Sequence, residues 1–285
     1  MTDRSGASLS ALLVVAGTAL FGTVGTARVL GPVIPAPSIA AGRLGASALL
    51  MVALAVTLRY GPAMWRAWRQ RWVYLAGAGQ AGFQVCFLAA VEQIDVATGT
   101  LIAIGCTPLA AGLMTRQVTR AWYVATAISL PGLVLLVGGR PGDLDPVGLA
   151  SALGAALSYA TYIVASRHLV TAGYAGLGVL AAIFVVSGVA LAPFLLLTDP
   201  GALWTGAGVT TVLYLAVVPT VLAYHLFNAG LRGVSASTAA TLGLTEPVVA
   251  AGLGVLVLGE RLGPAGVLGA GLILAGLFVL VRRQR

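Results

Sequence analysis

Charge is scarce in this chain. Only 8% of its 285 residues are charged and none is lysine, where an ordinary soluble domain carries about 25%. With 59% hydrophobic residues and a mean hydropathy of +1.00, too little polar surface exists to keep such a chain dispersed in water. Cysteine and histidine are also sparse. Cys86 and Cys106 lie inside apolar runs without CxxC or metal-ligand spacing, so neither a disulfide framework nor a compartment can be read from them. His168 and His225 are the only histidines, and there is no HExxH, GxSxG or P-loop pattern. Nothing therefore points to catalytic residues, a bound metal or a cofactor. An ATP-driven pump would need a nucleotide domain for which no chain remains. The sixteen arginines give a net charge of +8, but they are dispersed among the apolar runs, which argues against nucleic acid as a partner.

Long apolar runs are what the sequence has in abundance. A helix crosses a hydrocarbon core of about 30 Å with about 20 residues, and the runs predict ten such helices at 8–30, 37–58, 72–93, 96–115, 120–138, 146–167, 175–197, 208–231, 236–258 and 264–281. They are continuous rather than alternating, which excludes the strands of a membrane barrel. The first run has features of a cleavable signal, with Arg4 ahead of it and small residues near Ala27, but the repeat described next needs it as helix 1. Twelve arginines fall on the side of the termini and four on the other: Arg28, Arg43, Arg140 and Arg261. The positive-inside rule then predicts a multi-pass protein of the cytoplasmic (inner) membrane with both termini cytoplasmic. Trp65, Trp68 and Trp72 would lie at the inner lipid interface.

Sliding the chain by 139 residues lays 89–113 on 228–252 without a gap, matching Ala90 to Ala229, Ala97 to Ala236, Pro108 to Pro247 and Ala111 to Ala250. An odd number of helices in each half inserts the second half upside down. Such inverted repeats suit secondary transport, because two similar halves can exchange conformations and open one site to either side in turn. The stretch "GRPGDLDPVG", 139–148, is the only hinge-like linker. Small residues four apart, Gly42 with Ala46, Ala78 with Gly82 and Gly271 with Ala275, are expected to let helices pack closely.

Several segments carry a resemblance to the EamA family of the drug/metabolite transporter superfamily. They are "IAAGRLGASALLM" around Arg43, "CTPLAAGL" and "TEPVVAAGLGVLVLGERL" at matching places in the two halves, and "ALSYATYIVASRHL" opening the second. The resemblance implies an all-α membrane protein, with ten transmembrane helices as two inverted five-helix repeats, 1–140 and 141–285, around a central cavity. It also implies a transporter, and many members export amino acids, related metabolites or toxic compounds. The fourth helix departs from the pattern. It ends "GLMTRQVTR", where the family usually repeats the acidic ending kept here as Gly259 and Glu260.

The polar residues inside the runs are the candidate site. Glu246 is the only carboxylate away from a helix end, and an intramembrane charge marks a functional site by default. It is expected to hold a substrate ammonium group or exchange a proton, and Pro247 is expected to loosen the backbone beside it. Gln84, with Gln80 one turn away, belongs to helix 3. Ser158, Tyr162 and Ser166 form a stripe on helix 6 with Tyr159 beside it, and helix 8 carries Tyr224, His225 and Asn228. Polar stripes in lipid-spanning helices turn towards the bundle or a wet cavity. We therefore predict that Glu246, Gln84, Tyr159, Tyr162, Tyr224, His225 and Asn228 bind substrate, and that Gln84, Tyr162, Tyr224 and Glu246 share one central space. Arg43 is expected to snorkel to the outer surface and, with Pro108 and Pro247, to anchor or gate. The expected partners are a small-molecule substrate, protons and the lipid bilayer. The rival readings are an intramembrane enzyme, which would need a Ser/His or Asp/His pair at a cavity wall, and a non-transporting structural or sensor protein without a cavity.

Overall fold

The structure, a computed structural model, describes residues 4–94, 96–138 and 145–282; most of the 139–148 linker lies outside them. Among the described residues, ten helices are long and apolar enough to cross a membrane: helix 1, Ser8–Leu30; helix 2, Ala36–Thr57; helix 3, Arg71–Gln93; helix 4, Val96–Thr115; helix 5, Arg120–Val137; helix 6, Pro146–Thr171; helix 7, Leu177–Leu197; helix 8, Gly206–Gly230; helix 9, Ala236–Leu258; and helix 10, Pro264–Arg282. Each begins or ends within a few residues of its sequence-based range. The caps explain several boundaries. Asp145 accepts backbone N–H bonds from Val147 and Gly148 ahead of Pro146, and Thr119 and Ser235 cap helices 5 and 9 in the same way.

The outward surface is apolar. Leu49, Leu113, Leu196, Leu256, Leu268 and Phe278 are all exposed, a surface that a bilayer solvates and water does not. Inward, small residues bring backbones together. Gly132 of helix 5 and Gly269 of helix 10 face each other so closely that a Cβ on Gly269 would lie 2.5 Å from the Gly132 carbonyl oxygen. The predicted four-apart pairs differ among themselves: a Cβ on Gly82 would lie 2.9 Å from the Ser158 hydroxyl oxygen of helix 6, a close approach as expected, whereas Gly271 has open space beside it and Gly42 meets the side chains of Leu203 and Val212 only at ordinary contact distance. Sequence spacing marks small faces but leaves open which of them finds a neighbour.

Helix 3 packs along helix 6, helix 1 along helix 8, helix 2 along helix 7, and helix 5 along helix 10. Four helices depart from regularity: helix 7 turns at Ala192–Pro193, away from the one space that the other three border. Helix 1 is interrupted at Gly22. Helix 8 passes through a π-helical turn over Val217–Leu222, where Pro219 lacks an N–H and Thr220 donates its hydroxyl to the Leu215 carbonyl at 2.7 Å. Helix 9 stops at Leu242 and restarts at Thr245.

Candidate functional site

A cavity of about 320 Å³ lies between these irregular segments. Its rim, at the face opposite the termini, includes Gly25, Arg28, Ala36 and Val96. Deeper, the wall is formed by Phe21, Phe83, Phe87, Tyr159 and Tyr224, with Gln84, Thr100, Arg43 and Glu246 supplying the polar groups.

Glu246 occupies the first turn of the second half of helix 9. Its carboxylate therefore sits at a helix N-terminus, where free N–H groups and the helix dipole favour negative charge. Pro247 follows in the same turn, where a missing N–H removes little bonding. The expected mechanism is thus corrected in one respect. The break lies at Gly243–Leu244, ahead of the proline, and Pro247 starts a helix rather than loosening one. Gly22 makes the arrangement possible, because a Cβ there would lie 2.7 Å from the Glu246 carbonyl oxygen. Two interrupted helices thus cross at the acid. Pro108, its counterpart in the repeat, lies inside the unbroken helix 4, buried and away from the cavity wall.

Arg43 also departs from expectation. It enters the wall about 10 Å below the start of helix 2, counting seven residues at 1.5 Å each, and does not snorkel away. Its Nε is buried without a hydrogen-bond partner. Among the described residues its guanidinium pairs directly with no carboxylate, although it lies within electrostatic reach of Glu246.

The helix 8 and helix 6 candidates separate into layers. Tyr224 lines the cavity and donates its hydroxyl to Oε1 of the fully buried Gln80 at 3.0 Å. Tyr159 lines it as well. Tyr162, expected to face the same space, is fully buried behind Tyr224, edge-on at 5.3 Å. Asn228 lies deeper still. Its Nδ2 donates to the Tyr162 hydroxyl at 2.6 Å and to the Tyr224 carbonyl at 2.9 Å, and it borders a separate hollow of about 10 Å³ shared with Ser166 and Tyr174. His225 is turned outward and exposed. The wall residues that sequence reasoning missed are chiefly the aromatics Phe21, Phe83 and Phe87 and the bulge residue Pro219. Only Pro219, a proline inside an apolar run, left a sequence signal.

At the face of the termini the bundle is shut. Trp122 Nε1 donates to the Ser237 carbonyl at 3.1 Å, the Ser237 hydroxyl donates to the Gln117 carbonyl at 2.6 Å, and the Thr126 and Thr241 hydroxyls meet at 3.2 Å. Arg167 donates to the carbonyls of Leu231 and Arg232. A cavity reaching one face of a ten-helix membrane bundle and sealed at the other defines a membrane-transport architecture.

Comparison with known proteins gives the family. Residues 146–282 match the EamA-like transporter family. The chain is 34% identical over 98% of its length to the uncharacterized transporter YwfM of Bacillus subtilis (strain 168), covering 95% of that protein. It is 27% identical over 96% of its length to the threonine/homoserine exporter RhtA of Escherichia coli (strain K12), covering 92% of it. A protein of known crystal structure shares the fold, with a TM-score of 0.82 at 21% identity, over 95% of this chain and 96% of that one. The chain belongs to the EamA-like transporter family.

Proposed function

We propose that this protein is a secondary transporter that exports small metabolites such as amino acids across the cytoplasmic membrane by alternating access, with both termini in the cytoplasm. The observation that carries the reading is the one-sided cavity, walled by three irregular helices and holding an acid and a base without a direct bond between them. Unwound helix ends at mid-membrane are where transporters of other folds place their substrates. In the proposed orientation the cavity faces outward and the Trp122–Ser237 contact closes the cytoplasmic side. The helix pairings support an internal exchange of 1–140 with 141–285: it maps 3 with 6 onto 8 with 1, and leaves 2 with 7 and 5 with 10 paired with themselves. The similarity to the threonine/homoserine exporter RhtA supports amino acids as the first compounds to test.

In this cycle Glu246, Gln84, Tyr159 and Tyr224 contact the substrate. Tyr162 and Asn228 form the partition between the cavity and the hollow beyond it. Glu246 is also placed to exchange a proton with the open cavity. The test is counterflow of labelled amino acids in liposomes containing the purified protein. Uptake against unlabelled internal substrate, absent from protein-free liposomes, is the expected result. Absence of exchange for every metabolite tried would remove the transporter reading.

A further inference from the structure

Arg43 is the charged group in the bundle that the fold leaves unfinished. Arg167, near the end of helix 6, donates instead to the carbonyls of Leu231 and Arg232. Arg43 has no such acceptor among the described residues: its Nε is buried and unpartnered, and its guanidinium contributes to the cavity wall. A cation held in a low-dielectric cavity without a counter-ion is unfavourable. Glu246 would be the obvious counter-ion, yet the two do not bond directly. They stand at different depths. Arg43 leaves its helix about 10 Å below the outer helix end, and Glu246 about 18 Å below the end of helix 9, by the rise of 1.5 Å per residue. The rings of Phe83, Phe87 and Tyr159 line the same cavity, with centroids 5.7 Å and 5.2 Å apart along the series Phe87–Phe83–Tyr159.

We propose that Arg43 is a carboxylate anchor, and that with Glu246 it makes the cavity selective for zwitterions bearing an apolar side chain. This rests on the exporter reading above. A guanidinium presents paired N–H donors that match a carboxylate. An amino acid entering the site supplies both missing counter-charges: its carboxylate meets Arg43 near the opening, its ammonium meets Glu246 deeper in, and its side chain lies against the aromatic wall. A volume of about 320 Å³ is at the small end of ligand pockets and suits a single amino acid rather than a peptide or lipid.

The test uses liposomes containing wild type, Arg43→Gln or Arg43→Lys, each checked for equal amounts of monodisperse protein. Counterflow is measured for L-leucine, L-phenylalanine and L-threonine, for the carboxamide of each, and for putrescine, which has no carboxylate. In wild type the free acids of leucine and phenylalanine move faster than threonine, and each amide is slower than its acid by at least about tenfold, as expected for loss of one partner of a desolvated charge pair. Arg43→Gln lowers acid transport to the level of the amide, erasing the discrimination, and Arg43→Lys keeps part of it. Equal transport of acid and amide by wild type, or undiminished discrimination in Arg43→Gln, overturns the proposal. If Arg43→Gln does not fold, the wild-type ratio and Arg43→Lys decide. Movement of putrescine without any amino acid would sink the anchor while sparing the exporter, whereas no movement of any probe would remove both.

Discussion

The hydrogen bond from Asn228 to Tyr162 permits a quantitative test of the buried partition. Asn228→Leu keeps the side-chain size but removes the 2.6 Å bond to the Tyr162 hydroxyl, leaving that oxygen in a residue with no exposure to solvent. An interhelical hydrogen bond in a membrane bundle contributes about 0.6 kcal/mol and rarely more than about 1.7. An unpaired buried hydroxyl adds a penalty of about 1–3 kcal/mol. Ser166, one helical turn from Tyr162 and with its buried hydroxyl beside the Tyr162 hydroxyl, can recover part of that loss. We therefore expect Asn228→Leu to destabilise by about 1–2 kcal/mol. Tyr162→Phe should cost less, about 0.5–1 kcal/mol, because Asn228 still donates to the Tyr224 carbonyl. The double variant, in which no hydroxyl is stranded, should fall short of the sum by about 1 kcal/mol. Unfolding by dodecyl sulfate in mixed micelles, followed by the fluorescence of the five tryptophans, measures all three. Additivity within about 0.3 kcal/mol would show that the two side chains do not act as one unit and would refute the partition.

Other expectations follow from the same geometry. Glu246→Gln, which keeps the hydrogen-bonding shape but fixes the charge, should remove the dependence of counterflow on an imposed pH gradient if the acid carries the proton, and should weaken apparent substrate affinity if it holds an ammonium group. An unchanged rate, affinity and pH response would leave it a structural plug at a helix start. Gly22→Val forces a side chain against the Glu246 carbonyl and should destabilise by about 1–3 kcal/mol with loss of transport, whereas Gly25→Val, at a position with open space, should retain the wild-type melting temperature; equal behaviour of the two would show that the crossing is not tight. Trp122→Phe removes the Nε1 bond to Ser237 and should raise labelling by a membrane-impermeant thiol reagent of a cysteine placed at Thr241, applied from the face of the termini; unaltered labelling would mean that this bond does not hold that face shut. A cysteine at Asp199 should be labelled in intact cells, and protection until the inner face is exposed would reverse the orientation.

The ten spans and the transporter family were legible in the sequence because each rests on a local property. A run of about 20 apolar residues satisfies its own backbone as a helix in lipid wherever its neighbours stand, and a carboxylate in such a run is conspicuous without any coordinates. The facing of individual side chains was not local. Tyr159 and Tyr162 are three residues apart on helix 6, yet one lines the cavity and the other is buried behind it. His225 follows Tyr224 directly but is turned outward. These helices are apolar around most of their circumference, so no amphipathic stripe fixes their rotation; packing against neighbours does. The break in helix 9 fell at Gly243–Leu244 rather than at the conspicuous proline, which a helix accepts in its first turn. Arg43 looked like a surface anchor at its distance from the helix end. Only the tertiary structure, by closing helices 1, 8 and 9 around it, put its guanidinium into the wall of the cavity that holds Glu246.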